Sequence, residues 1–295
     1  MTLIPRPGLH GGDGSRIAAA LGIDPSTVLD LSASLNPVAP DVGAIVSRHL
    51  TVLHRYPDPE AATAALAEVM GVDRHRLLLT NGGAEAIALV SAQVGGRVVE
   101  PDFALYPRGP SGPRWRSDPH NPTGALAGPD EQAEVWDEAF YALATGRWTS
   151  ADRALVVGSL TKTFACPGLR IGYVLADPDV IARLRRRQPT WSVNGLAAAA
   201  LPDLLERADL ARWAKAIAGL RAELRALLDV AGLEPQPSDA PFLLCTKGAG
   251  VRDHLAARGI VVRDCASFGL PGQVRVAVPD DVGLARLGEA LSQRE

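Results

Sequence analysis

The sequence predicts an α/β protein: a mostly parallel central sheet between helices, followed by a smaller C-terminal α/β domain. Three observations lead there. Short apolar runs alternate with helix-patterned segments up to residue 176, the pattern turns purely helical from Pro178 to Gly232, and strand and helix patterns alternate again to the end.

The elements follow in order. LLLT (77–80) is a buried-type strand, NGG a turn, and AEAIALVSAQV a helix; RVVEP, ALVVGS and RIGYVLA read as further buried strands. DVIARLRRRQ, NGLAAAALPDLLERA and DLARWAKAIAGLRAELRALLDVAG have helical spacing, the last closing at Gly232, a natural helix stop. FLLCTK (242–247), VRDHLAARG, IVVRDC, QVRVAV and DVGLARLGEAL then give strand, helix, strand, strand, helix. These readings divide the chain into an N-terminal arm (1–40) serving the small domain and the site, a large domain (41–178), a helical connector (179–232) and a small domain (233–295).

With 295 residues, 47% of them hydrophobic, the chain can bury one large core or two smaller ones. Lys and Arg number 30 against 33 Asp and Glu, and the net charge of −3 creates no field that would attract nucleic acid or an anionic membrane. Small molecules are the expected partners, and RLRRR (183–187) reads as a solvated helix face. The start MTLIPRPGLHGGDGS has no signal-like apolar run and no later stretch has membrane-span length, so a cytoplasmic protein is expected. Cys166, Cys245 and Cys265 are odd in number and form no C-x-x-C pair, which predicts reduced, buried thiols and no metal site.

Four short stretches carry chemistry. TNGGAEAI puts two glycines between a strand and a helix start, where free N–H groups suit a phosphate, although a capped turn has the same pattern. HNPTG (120–124) reads as a turn, and WDEAF (136–140) sets two carboxylates beside apolar residues. SLTKTFACPGLRIGY (159–173) places Lys162 in a loop of small residues, three after Ser159 and eight before Arg170.

That order, NGG-AE, NPTG, DEAF, then S-L-T-K with an arginine eight residues on, resembles the fold type I pyridoxal 5'-phosphate enzymes of the class I and II aminotransferase group. The resemblance implies that Lys162 attacks the cofactor aldehyde, which requires a neutral amine and hence a cationic, partly desolvated pocket. Ser159, Arg170 and the backbone N–H groups of Gly83, Ala84 and Glu85 would hold the phosphate. Asp137 would pair with the pyridine nitrogen, Asn121 with the ring hydroxyl, and Phe103 would stack on the ring. Phe140 stands where many members have tyrosine. Tyr56 would reach the cofactor phosphate of a neighbouring subunit, which implies a homodimer with shared sites.

Further stretches resemble the phosphothreonine decarboxylases and the similar histidinol-phosphate aminotransferases: HGGDGSRIAAALGI, LDLSASLNP, PTWSVNGLAAAA, and GIVVRDCASFGL followed by VRVAV. By that resemblance Arg263 and Arg275 bind the anionic groups of a phosphorylated amino acid, while His10 and Gly11 close over it. Ser34 replaces a substrate-contacting asparagine of the family. The expected reaction is decarboxylation; the alternatives are transamination of a small or phosphorylated amino acid and a degenerate, non-catalytic relative. Only 17 residues separate Phe103 from Asn121 and 15 separate Asn121 from Asp137. A strand, crossover helix and strand need more chain, so the large sheet should lack a helix and a strand around 104–136.

Overall fold

The computed structural model describes residues 4–150 and 152–294; the first three residues of the N-terminal arm, Ala151 and Glu295 lie outside them. Local sequence sets the element ends. Asn194 and Asp209 accept from backbone N–H groups at the starts of two helices, and Gly22 and Gly71 take φ of 67° and 66° where helices stop. In chain order the elements are α1 (Gly14–Leu21), β1 (Leu29–Leu31), α2 (Val42–Ser47), α3 (Glu60–Met70), β2 (Leu77–Thr80), α4 (Gly82–Val94), β3 (Trp115–Ser117), β4 (Val135–Asp137), α5 (Tyr141–Thr145), β5 (Leu155–Ser159), α6 (Leu160–Thr163), β6 (Gly172–Ala176), α7 (Pro178–Arg185), α8 (Gly195–Glu206), α9 (Leu210–Val230), β7 (Phe242–Cys245), α10 (Val251–Ala256), β8 (Ile260–Asp264), β9 (Val274–Ala277) and α11 (Asp281–Ser292).

The larger sheet has the order β2-β6-β5-β4-β3, with β3, β4 and β5 parallel and β6 antiparallel to both its neighbours. Because side chains alternate along a strand, both faces of the sheet are apolar. Leu77, Leu79, Trp136, Val156 and Leu175 pack with Leu66, Leu201 and Ile217 on one face. Leu78, Val157 and Val174 pack with Ile87, Val90, Ile181 and Leu184 on the other.

Between α4 and β4 the described residues form only β3 and no helix, as the short intervals predict. RVVEP is not a strand, contrary to the sequence reading. It makes one bridge, Arg97 to Arg114, and Pro101 and Pro113 have no N–H with which to extend a ladder.

The smaller sheet has the order β1-β8-β9-β7, with β1 parallel to β8 and the other pairs antiparallel. It buries Leu243, Val262 and Val276 against Leu224, Leu228 and Leu287 of α9 and α11. The β8–β9 register sets Arg263 opposite Arg275, two like charges on one face of the sheet.

Candidate active site

The site lies where β2, β4 and β5 end. β5 runs into α6, which carries Lys162, and the segment after β1 is sewn to that helix. Lys162 Nζ donates to the Ala33 carbonyl at 2.9 Å, Asn36 N to the Lys162 carbonyl at 3.1 Å, and Asn36 Nδ2 to the Thr163 carbonyl at 2.9 Å. Burial, reinforced by the charges of Arg275 and Arg170, lowers the Lys162 pKa to about 8.

At the β2–α4 turn, Gly82 has φ of 78°, and a Cβ there would lie 2.5 Å from Arg170 Nη2. A Cβ on Gly83 would lie 3.2 Å from Ser159 Cβ, and one on Gly172 would lie 2.6 Å from Gly83 N. The missing side chains therefore bring Ser159, Arg170 and the start of α4 into one cluster of donors. Arg170 has no carboxylate partner among the described residues; it makes one 3.4 Å bond to the Pro167 carbonyl. Glu85 turns back into the structure, where its Oε2 accepts from Asn81 N, Gln188 Nε2 and Ser192 Oγ. Ala84 is exposed on the first turn.

Asp137 ends β4 and is buried. Its Oδ2 accepts from Tyr106 Oη at 2.7 Å and its Oδ1 from Ala139 N at 2.8 Å, while burial raises its pKa. Phe103 stands edge-on to Tyr106 at 5.6 Å and to His10 at 5.8 Å. Asn121 is buried, its N–H donating to Ser117 Oγ and its Oδ1 accepting from Arg275 Nη1. Arg275 also donates to the Ser32 carbonyl and lies 4.5 Å over the Phe242 ring; burial lowers its pKa to about 10.

Arg263 is directed elsewhere. Its guanidinium bonds the Gly8 and Leu9 carbonyls and Ser267 Oγ, so it clamps the N-terminal arm. Gly11 packs so closely on the Ser32 carbonyl that a side chain would collide with it. Ser34 is fully buried at φ of 47°, and its Oγ and the Arg275 Nε are buried without hydrogen-bond partners among the described residues. Tyr56 is exposed and stacks on exposed Trp191 at 4.2 Å.

Sequence reading missed two groups of this site. Tyr106 holds Asp137, and Asp102 is buried between Phe103 N, to which it is bonded, and Ser117 Oγ. Burial raises the Asp102 pKa to about 7, with the nearby Asp137 charge adding to the effect. His120 Nε2 lies 3.8 Å from Asp102 Oδ2, and burial together with the Arg116 charge pushes the His120 pKa down to about 4. An acid next to the stacking aromatic in EPDFALY was the available signal.

The family model of class I and II aminotransferases matches residues 117–291. Threonine-phosphate decarboxylase of Salmonella typhimurium is 31% identical over 354 aligned positions, covering 96% of this chain and 95% of the relative. Histidinol-phosphate aminotransferase 2 of Pseudomonas fluorescens is 28% identical over 349 positions, covering 97% and 94%. Both alignments exceed the 295 residues here, so the relatives have positions with no counterpart in this chain. The crystal structure of histidinol-phosphate aminotransferase from Sinorhizobium meliloti in complex with pyridoxal-5'-phosphate superposes with a TM-score of 0.82 at 18% identity, covering 98% of this chain and 94% of that one. The order of strands, the lysine loop and these matches agree: the chain belongs to the class I and II aminotransferase family of fold type I, whose cofactor is pyridoxal 5'-phosphate.

Proposed function

We propose that the chain decarboxylates L-threonine O-3-phosphate to (R)-1-amino-2-propanol O-phosphate and CO2, as a cytoplasmic homodimer with shared sites serving cobalamin biosynthesis. The observation that carries this reading is the roof made by the N-terminal arm. Arg263 grips the Gly8 and Leu9 carbonyls, which brings His10 against the edge of Phe103. The 31% identity to a relative named threonine-phosphate decarboxylase supports it.

The residues present fit the cofactor. Gly82 and Gly83 open a cradle in which Ser159, Arg170 and the α4 N–H groups offer donors to a phosphate. Asp137 offers a buried carboxylate to the ring nitrogen, Asn121 a side-chain amide, Phe103 an aromatic face and Lys162 its amine. When bound, the cofactor supplies an electron sink for the pair left at the substrate Cα.

The rest of the chemistry falls to the chain. Arg275 Nε and Ser34 Oγ are buried donors without partners, an arrangement that an anionic substrate group would satisfy. Held by its phosphate, the substrate leaves its Cα carboxylate free to depart as CO2. An aminotransferase instead presents the Cα–H bond for cleavage and removes that proton. Lys162, neutral for a large part of the time near pH 8, is the group to deliver the proton to Cα, so one proton taken up balances one CO2 released.

A histidinol-phosphate-type aminotransferase is the second reading, favoured by the 28% identical relatives of that name. The presence together of Lys162, Asp137, Asn121 and Arg170 opposes a non-catalytic relative. The test is to saturate the protein with pyridoxal phosphate, remove the excess, and add O-phospho-L-threonine while collecting CO2. CO2 over many turnovers supports the decarboxylase. Turnover that needs 2-oxoglutarate and releases no CO2 transfers the assignment to an aminotransferase, and a protein that retains no cofactor overturns both.

A further inference from the structure

The loop that replaces the missing helix has a built centre. Residues 101–113, PDFALYPRGPSGP, follow the end of α4 and carry Phe103 and Tyr106, yet they form no helix. Proline explains why. A helix would satisfy the Phe103 carbonyl with the N–H of residue 107 and the Tyr106 carbonyl with that of residue 110, but both positions are proline and have no N–H to give.

The Tyr106 N–H reaches the Phe103 carbonyl at 3.2 Å, and Arg108 supplies the remaining donors. Its Nη1 donates to the carbonyls of Tyr106 at 2.8 Å, Ala104 at 3.0 Å and Phe103 at 3.4 Å, and its Nη2 to those of Asp102 at 3.2 Å and Phe103 at 3.3 Å. Nε bonds Glu100 Oε1 at 2.7 Å, and Glu100 Oε2 accepts from Asp102 N at 3.0 Å. The guanidinium is about two-fifths exposed, so its pairing with Glu100 alone would contribute little. Its fork is different: one planar group closes onto four consecutive or near-consecutive carbonyls, a task that the single ammonium of lysine cannot reproduce.

Both residues that this fork orders face the site. Tyr106 donates to Asp137, and Phe103 stands against Tyr106 and His10. We propose that Arg108 is a positioning residue that takes over the hydrogen bonding of the absent helix and thereby fixes the Phe103 ring and the Tyr106–Asp137 bond. The assignment of Phe103 and Asp137 to the cofactor rests on the functional reading above; the ordering of Tyr106 does not.

Two experiments on the full chain test it, with Arg108→Lys and Arg108→Gln. In the cofactor-free protein, tetranitromethane is used to nitrate tyrosines and the sites are mapped by mass spectrometry. N-acetyl-L-tyrosine amide added to the same tube reports full reaction, and Tyr173, 3% exposed on the packed face of β6, reports global opening. Tyr106, also 3% exposed, is expected to be protected in the wild type and to react at least several-fold faster in both variants, with Tyr173 still protected. In the loaded protein, the variants should bind pyridoxal phosphate roughly tenfold more weakly, as loss of one or two positioning hydrogen bonds implies. The midpoint of the pH titration of the visible cofactor band should shift as well.

Tyr106 protected equally in all three proteins would overturn the assignment, as would simultaneous exposure of Tyr106 and Tyr173, which is the mark of general destabilisation. If Tyr106 becomes reactive but no form binds cofactor, the positioning of Tyr106 stands and the functional reading fails. If the wild type binds cofactor and both variants match it in affinity and titration, the proposed link from Arg108 to the site is wrong.

Discussion

Tyr106 Oη donates a hydrogen bond to Oδ2 of Asp137 across 2.7 Å, at the centre of a cluster in which Trp115 stacks on Tyr106 at 5.4 Å. The bond counteracts the burial that raises the Asp137 pKa, and so helps to keep the carboxylate charged. Tyr106→Phe leaves that oxygen buried without its donor, which costs about 1–3 kcal/mol. Urea unfolding of the cofactor-free protein is expected to show a loss in that range. An unchanged midpoint would mean that the bond contributes nothing to the fold.

Lys162 should capture the cofactor aldehyde as a neutral amine. With a pKa of about 8 the amine is about one-tenth neutral at pH 7, against less than one part in a thousand at an ordinary lysine pKa. The capture rate, followed by absorbance, should rise up to about pH 8 and then level. Arg275→Met removes a positive charge that favours the neutral form, so the lysine pKa rises and capture at pH 7 slows. Borohydride reduction and mass spectrometry should locate the cofactor on Lys162 in the wild type and find none on Lys162→Ala. A covalent adduct elsewhere in that variant would remove Lys162 from its assigned role.

How far the sequence foretold this site depends on the kind of signal. Ser159, Lys162 and Arg170 occupy a fixed local spacing, and the strand β5 and turn that position them are local too, so they could be read directly. The arm clamp could not. Arg263 lies more than 250 residues from Gly8 and Leu9, and nothing in the pattern of a strand arginine says whether it faces a ligand or a backbone carbonyl. RVVEP has the composition of a buried strand but sits beyond the edge strand β3 with no second neighbour to complete its pairing. For Asp102 the composition argues for a solvated acid, and only the fold reveals that it is 2% exposed.

Asp102 and His120 make opposed contributions to stability against pH. The folded pKa of Asp102 is raised to about 7, so its contribution is present below the unfolded carboxylate value near 4 and is lost as pH rises to 7. The folded pKa of His120 is lowered to about 4, so its contribution is present above about 6.5 and is lost as pH falls toward 4. Between about 4 and 6.5 the two slopes cancel in part. In Asp102→Asn only the histidine slope remains, and melting temperature should rise more steeply with pH across that window than in the wild type. In His120→Gln the slope should turn downward, and equal slopes in all three proteins would show that neither group titrates as the burial implies.

Arg153 joins the two strand ends that present Asn121 and Asp137. It pairs with Asp118, three residues before Asn121, and with Glu138, the neighbour of Asp137, at 2.6 Å from Glu138 Oε1. The side chains of Asp118 and Glu138 are 3% and 0% exposed, and the guanidinium lies 3.9 Å over the Trp136 ring. Among the described residues no crossover helix separates β3 from β4, so this triad braces their ends directly. Arg153→Met would leave two buried carboxylates facing each other without a cation, at a cost of about 3–5 kcal/mol. Burial already raises the Glu138 pKa, so part of that cost should be relieved in acid, and the destabilisation measured by urea should be smaller at pH 5 than at pH 8. Combining Arg153→Met with Asp118→Asn and Glu138→Gln removes the uncompensated charge and should recover most of the loss. If the triple variant is as unstable as the single one, the triad acts through the packing of the arginine on Trp136 rather than through its charge.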